Sequence, residues 1–366
     1  MQRADVIVIG AGCSGAAAAW KLAQRGRHVV LLEQFERGHV LGSSHGATRI
    51  FRVAYRDPVY SRLAGAAIPL WRELEQASGQ TLLEQTGQLD HGDPGAIEEI
   101  EDTLRAGGWG YERLLPEQAA QRWPSMVFDR AVVYSPDGGR VFADRTVDAL
   151  VSVSEREGAD VRFSTPVTRV DASDDRVVVS TDSGSWTAPV AVVAAGAWLP
   201  DLLGASVPLP QLRVTEQQPV HFAIRPGYSF PSYVHHVGTD AVDHTFAYGA
   251  YGLESPGEGV KLGLERDTEV HDLAARDLRT DAASLAEAVA YAETWLPGAD
   301  TSVASAASCL FTMAPASHFI LDRVGPLVIC SACSGHGFKF TPALGEIAAD
   351  LATGGEQAVP QWRLVS

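Results

Sequence analysis

The chain has 366 residues, 46% of them hydrophobic, and a formal net charge of −16 from 45 acidic and 29 basic side chains. This composition describes a globular protein with two domains or one large one. The acidic balance argues against nucleic acid and anionic membrane surfaces as partners, and no apolar run reaches the length of a membrane span.

Near the N-terminus, Val6–Ile9 is a short β-branched run suited to a strand buried on both faces. Gly10, Gly12 and Gly15 follow as G-x-G-x-x-G, then an Ala-rich helical pattern closed by Gly26. Val29–Leu32 is a second buried strand, and Glu33 stands at its end, roughly 20 residues past the glycines. Gly10 allows the tight turn, Gly12 lets backbone approach a pyrophosphate, and Gly15 lets helix and strand pack closely. The helix N-terminus offers N–H groups to phosphate, and Glu33 offers a carboxylate to a ribose. The motif predicts dinucleotide binding without naming the dinucleotide. Arg3, the apolar run and the small residues before Cys13 mimic a signal peptide, but Asp5 breaks the run, so the reading is structural and cytoplasmic.

Residues 34–55 are rich in Gly and Ser and read as loop, carrying Ser43, His45, Thr48, Arg49, Arg52 and Tyr55. Two arginines three apart are either fixed cations near the cofactor or a basic surface turn. Helices are predicted at Tyr60–Glu75, Pro94–Arg105 and Pro116–Trp123, with Pro69 a kink and a strand at Leu82–His91. Ala131–Tyr134 and Arg140–Phe142 flank a P-D-G-G turn, a hairpin signal. Asp144 is expected to cap a helix reaching Gly158. Asp160–Ser164, Val167–Val170, Val177–Thr181 and Ser185–Ala188 read as an antiparallel meander. Ala191–Trp198 reads as a third parallel strand ending in a small-residue turn that includes Gly196. Strands at Pro219–Ile224, Tyr233–Val237, Thr245–Gly249 and Val260–Leu264 suggest a mixed sheet. Period two puts Lys261, Gly263 and Glu265 on one face. Asp281–Leu296 is an acidic amphipathic helix. Leu327–Ile329, the turn S-G-H-G-F-K-F and a helix over Pro342–Leu351 close the chain.

The four cysteines, Cys13, Cys309, Cys330 and Cys333, are too few for a disulfide framework. Cys330 and Cys333 form a C-x-x-C with no second pair for zinc, so no metal is expected and a buried strand end is the reading.

Four motifs together carry a resemblance: V-I-V-I-G-A-G at the N-terminus, H-G-A-T-R-I-F-R-V-A-Y at His45–Tyr55, S-C-L-F-T at Ser308–Thr312, and S-G-H-G-F-K-F at Ser334–Phe340. Over nearly its whole length the chain resembles the monomeric sarcosine oxidase and N-methyltryptophan oxidase family, within the D-amino-acid-oxidase-like flavoproteins. The resemblance implies an α/β plus α+β fold, with a Rossmann-like FAD-binding domain of the glutathione-reductase type and a mixed-sheet substrate domain. The boundaries expected are 1–83, 142–214 and 315–366 for the first, and 84–141 and 215–314 for the second.

The family implies FAD, attached covalently through the cysteine that Cys309 matches; without that context Cys309 reads as a small core residue. Arg52 and Lys339 match a pair that grips the substrate carboxylate, Arg49 a cation near the flavin, and Lys261 the lysine that activates oxygen. His336, between Gly335 and Gly337, matches a turn at the flavin's pyrimidine edge. Thr48 and Tyr248 match residues of the pocket. Relatives that oxidise sarcosine have histidine at Glu265 and tyrosine at Phe311, so the substrate pocket differs here. Glu265 either pairs with Lys261, the favoured reading, or meets a second cationic group of the substrate.

The expected enzyme is a monomer that oxidises the C–N bond of a secondary amine or amino acid with O2, giving imine and hydrogen peroxide. The cations at the carboxylate lower the bound amine's pKa, so no strong protein base is called for. The alternatives are an oxidase of cyclic imino acids such as pipecolate or piperideine carboxylate in a biosynthetic pathway, and a fructosyl-amino-acid oxidase. From other classes come a nicotinamide-dependent dehydrogenase and a flavin-binding protein without turnover.

Overall fold

Val6–Ile9 and Val29–Leu32 are buried along their whole length, as aliphatic runs inside a parallel sheet must be. The computed structural model describes residues 1–204, 206–237 and 249–364. The two strands belong to a six-stranded sheet ordered Asp160–Arg162, Val29–Leu32, Val6–Ile9, Val190–Val193, Leu327–Ser331, Ile320–Val324. Its pairs are parallel except the last. Alternation divides the side chains cleanly. Val6, Val8, Leu31 and Val192 pack on the helices Cys13–Gln24, Ala143–Arg156 and Thr341–Ala352. Ile7, Ile9, Val30 and Leu32 pack instead on Val177, Val179 and Trp186 of a small antiparallel sheet.

An eight-stranded sheet forms the other half of the molecule. Its order is Ala299–Ala306, Val220–Ile224, Gly259–Leu264, Ala250–Ser255, Ser232–His236, Gln88–Gly92, Val132–Ser135, Glu112–Leu114. The helix Ala282–Trp295 is capped by Asp281, whose carboxylate accepts from Ser284 N at 2.8 Å, and it packs Ala288 and Ala292 into this sheet's core. Two smaller sheets lie between the halves. One pairs Arg213–Gln217 with Cys309–Met313; the other orders Thr48–Phe51, Gly139–Phe142 and Leu83–Glu84. Among the described residues, no helix is long and apolar enough to cross a membrane.

Several expectations are corrected. The P-D-G-G turn does not make a hairpin: Val132–Ser135 pairs in the eight-stranded sheet, while Gly139–Phe142 pairs with Thr48–Phe51 and Leu83–Glu84. Its glycines serve close approach, since a Cβ at Gly139 would lie 2.0 Å from Glu84 O. Leu82–His91 is broken in two at Gly87, whose φ is +88°. Asp160–Arg162 leaves the meander for the parallel sheet, the return that a strand after a crossover helix makes. Residues 48–51 are strand rather than loop, because Thr48, Ile50 and Phe51 suit an extended backbone. Asp144 does not cap its helix; that helix starts after Phe142, and Asp144 Oδ1 accepts from Gly46 N at 2.7 Å. Pro69 lies within the helix Pro58–Ser78 without ending it. Of the expected strand at 245–249, all but Gly249 lies outside the described residues.

The first and last long helices of the nucleotide half meet at Gly345, where an added Cβ would lie 2.6 Å from Ala17 backbone and side-chain carbon. Gly345→Val is therefore expected to lower the unfolding free energy by about 2 kcal/mol or more, read from denaturant melts of the wild type and the variant. An unchanged midpoint would show that the two helices have room to move apart.

Candidate active site

A cavity of about 790 Å³ runs from the glycine turn to the eight-stranded sheet. At its first end Gly10 takes φ +98°, and a Cβ there would stand 2.4 Å from Ala194 O. A Cβ on Gly15 would stand 1.8 Å from Gly10 O, so Gly15 lies behind the wall, where only glycine fits. The helix Cys13–Gln24 starts at Gly12 with no side-chain cap and no acid in its first turn. Cys13 N donates to Ser44 Oγ at 3.1 Å, and the helix's positive end faces the cavity, where a phosphate is favoured. Glu33 is buried, its Oε2 accepting from Ala11 N at 2.7 Å and its Oε1 from Phe35 N at 3.0 Å. Those bonds hold the carboxylate at the glycine turn and leave lone pairs for hydroxyl donors. Gly196, with φ +53°, lines the same end.

Further in, Arg49 closes the His45 loop onto itself. Its guanidinium donates to Thr48 O at 2.8 Å, Ser43 O at 3.0 Å and His45 O at 2.7 Å, and reaches Cys309 Sγ at 3.7 Å. Burial, then Arg49, push the His45 imidazole down to about 4, so it is neutral, and its Nε2 is buried with no partner among the described residues. Lys261 Nζ donates to Thr48 O at 2.9 Å, and burial followed by Arg49 pushes its pKa down to about 7. Thr48 joins the site through this carbonyl, because its hydroxyl donates to Ser255 Oγ at 2.9 Å.

Arg52 and Lys339 are 3% and 6% exposed. The Arg52 guanidinium lies 4.0 Å from the Tyr55 ring centre and 3.9 Å from Asp90. Lys339 Nζ donates to His336 O at 2.7 Å and has no acidic partner among the described residues. Burial, then Arg52 and Arg49, push its pKa well below the usual lysine range. Both line the cavity, as do Cys309, Phe311, Gly335 and Gly337. The choice between a basic surface turn and buried cations is therefore decided for the cations.

One expectation changes. Lys261 and Glu265 do not pair: the Lys261 ammonium is on Thr48 O, and the cation that acts most on Glu265 is Arg52. His336 lines the cavity with Gly335 and Gly337, its imidazole neutral, pushed down by burial and then Lys339, with Nε2 at 3.1 Å from Ser317 O and Nδ1 at 3.4 Å from Tyr55 Oη. The Tyr55, Phe319 and Phe340 rings pack around it. Tyr248 lies outside the described residues. The sequence reading missed His221, directly across the strand pair from Lys261, and Glu258, 3.3 Å from His221 Nε2. Neither stands in a motif: sheet register brings His221 to the site, and the turn before Gly259 brings Glu258, whose Oε2 accepts from Ser255 Oγ at 2.7 Å.

A family profile described as "FAD dependent oxidoreductase" matches residues 5–351. The chain belongs to that family. Among its relatives, this oxidoreductase is 32% identical to monomeric sarcosine oxidase of Bacillus sp. (strain NS-129), over 96% of this chain and 93% of the relative. It is 29% identical to N-methyl-L-tryptophan oxidase of Yersinia pseudotuberculosis serotype O:1b, over 95% and 94%. Among solved structures it is similar to the open form of NikD, an unusual amino acid oxidase essential for nikkomycin biosynthesis. The TM-score there is 0.86 at 27% identity, covering 98% of this chain and 96% of that one. The family settles what the glycine motif left open, that the dinucleotide is FAD. The residues present fit it: a glycine cradle, a helix end facing the cavity, the Glu33 carboxylate and the orphaned His45 Nε2.

The lowered pKa of Lys261 carries a sign. Between about 7 and the ordinary lysine value of 10.5 the unfolded chain holds a proton that the folded chain has released. Stability contributed by this site therefore rises with pH across that window. Relative to Lys261→Met, the wild-type oxidoreductase is expected to gain unfolding free energy from pH 7 to pH 10 in denaturant titrations. A constant difference would contradict the depressed value.

Proposed function

We propose that this oxidoreductase oxidises the C–N bond of a secondary amine or amino acid that bears a carboxylate, an N-methyl or imino acid, and yields imine and hydrogen peroxide. One observation carries the reading: two buried cations, Arg52 and Lys339, face one cavity, and among the described residues Lys339 has no acidic partner. Like charges held together out of water call for an anion between them. Arg52 offers a planar fork and Lys339 a point charge, so a carboxylate is gripped and oriented. The names of the relatives point the same way, since sarcosine and N-methyl-L-tryptophan are N-methyl amino acids.

Gly10, Gly12, Gly15 and Glu33 would hold the adenosine diphosphate part of FAD, with Ser43, His45, Gly196, Gly335 and Gly337 around the remainder. FAD supplies a two-electron acceptor. Cys309, whose thiol stands beside Arg49 in the wall, would tether it through a thioether. Lys261 and Arg49 supply positive charge where oxygen is reduced, and fixed charge in a dry site stabilises a developing anion strongly. On this reading residues 1–83, 142–214 and 315–366 form the FAD-binding part and 84–141 with 215–314 the substrate part, a division supported by the six-stranded sheet lying in the first and the eight-stranded sheet in the second. The enzyme acts as a monomer. A second reading is oxidation of a cyclic imino acid in a biosynthetic pathway: the likeness to NikD, an amino acid oxidase essential for a biosynthesis, supports the pathway, and Phe311 and Glu265 in the pocket support a substrate other than sarcosine.

A peroxide-release screen with sarcosine, N-methyl-L-tryptophan, L-proline, L-pipecolate and a fructosyl amino acid tests the function. Turnover of N-methyl acids supports the first reading and preference for pipecolate the second; no peroxide with any of them contradicts both. Acid-precipitated wild-type protein is expected to stay yellow and Cys309→Ser to precipitate colourless, whereas a colourless wild-type pellet would refute the tether. Lys261→Met is expected to slow reoxidation of reduced enzyme by oxygen at least tenfold while anaerobic reduction changes much less. Equal losses in both half-reactions would remove Lys261 from the oxygen step.

A further inference from the structure

Glu265 lines the same cavity as Arg52 and Lys339, and the reading above gives its carboxyl no chemical task. It follows the strand Gly259–Leu264, on the face it shares with Lys261 and Gly263. Between the two charged residues the face is bare, since a Cβ on Gly263 would stand 2.1 Å from the Tyr251 ring. Tyr251, opposite Gly263 on the antiparallel neighbour, fills that gap. Glu265 thus projects into the cavity beyond Tyr251, in the same chamber as Arg52, Lys339 and Phe311. Its carboxyl makes no hydrogen bond or ion pair among the described residues.

We propose that Glu265 takes the proton from the substrate's ammonium nitrogen, so that the nitrogen enters the oxidation with its lone pair free. The proposal rests on the functional reading above and adds a residue for a step that the cations alone were expected to serve. Amino and imino acids arrive as zwitterions, and a protonated nitrogen cannot give up electrons to form an imine. With the carboxylate on Arg52 and Lys339, those cations lower the ammonium's pKa. Burial raises the Glu265 carboxyl well above the usual range, with Arg52 acting against it and Asp267 with it. Donor and acceptor values converge, the condition under which proton transfer works best. An entering cation favours the ionised form, so the carboxyl first gives its own proton to solvent; the carboxylate then takes the substrate's, an N–H bond breaking and an O–H bond forming on Glu265 while the electron pair stays on nitrogen.

The charged and titratable neighbours leave Glu265 the base. Arg52 faces it from the end of the Thr48–Phe51 strand, and Asp267 is two residues along the chain. The Tyr251 hydroxyl is held protonated, its pKa raised by burial, then Cys309, and also by Glu265. Lys261 is bonded to Thr48 O, and His336 is engaged at both nitrogens.

Two measurements on the FAD-loaded protein test this. In anaerobic stopped-flow with sarcosine, N-methyl-L-tryptophan and L-pipecolate, the wild-type reduction rate should rise at lower pH than that of Glu265→Gln. Each unit of displacement is a tenfold loss at neutral pH that recovers at high pH. In calorimetry across buffers of different ionisation enthalpy, betaine, a fixed cation with a carboxylate and no N–H, should release up to one more proton from the wild type than from Glu265→Gln at pH 7. Any proton that Lys339 takes up on meeting the carboxylate is common to both proteins, and acetate, which brings no cation, should show no such difference between them. Glu265→Ala gives the same contrasts if the glutamine variant does not fold. An unmoved onset or equal proton release overturns the base while leaving the oxidase reading intact. Failure of all three amines to reduce the wild type overturns the functional reading and the proposal with it.

Discussion

Positive charge held out of water is the constraint on which this site depends. Arg49, Arg52, Lys261 and Lys339 all line one cavity, and the two lysines are pushed down toward neutrality by burial and by the arginines. No carboxylate bonds to Arg49, Lys261 or Lys339 among the described residues; their partners are backbone carbonyls. Such an arrangement is costly in an empty protein and becomes favourable when anionic guests enter. In an otherwise strongly acidic chain, the local excess of cations marks where acceptors of negative charge belong.

The fold brings those cations together from distant parts of the chain. Arg49 and Arg52 come from or beside a short strand between the two large sheets, Lys261 from the middle of the eight-stranded sheet, and Lys339 from the turn after the last parallel strand. The Thr48 carbonyl is the meeting point, accepting from both Arg49 and Lys261. The parallel sheet delivers the glycine turn and Glu33 at the carboxyl ends of its strands, the place where open α/β sheets bind ligands. Each half of the molecule therefore supplies what the other lacks, a nucleotide cradle from one and a pocket wall from the other.

Much of this was legible in the sequence. The glycine spacing, Glu33 and the paired arginines carry their chemistry in local order, and the structure places nearly every expected site residue on one cavity. What failed did so for identifiable reasons. The P-D-G-G segment has hairpin chemistry, but Gly138 and Gly139 are there because Gln88 and Glu84 press against them. Strand periodicity put Lys261 and Glu265 on one face and suggested a pair; it could not show the Tyr251 ring between them. The flanking glycines of His336 gave no hint of the aromatic cluster around its ring, which only tertiary packing creates. His221 reaches the site through sheet register, which no local pattern encodes, and brings its side chain against Glu258 of the turn before Gly259.

The most direct test of the cation-lined pocket compares amines that differ only in the carboxylate. Purified oxidoreductase is mixed without oxygen with sarcosine or dimethylamine, and with pipecolate or piperidine, while the flavin absorbance is followed. The account predicts bleaching by an acid-bearing member and at least a hundredfold slower bleaching by its counterpart. Equal rates within each pair, or bleaching by the simple amines alone, would contradict it.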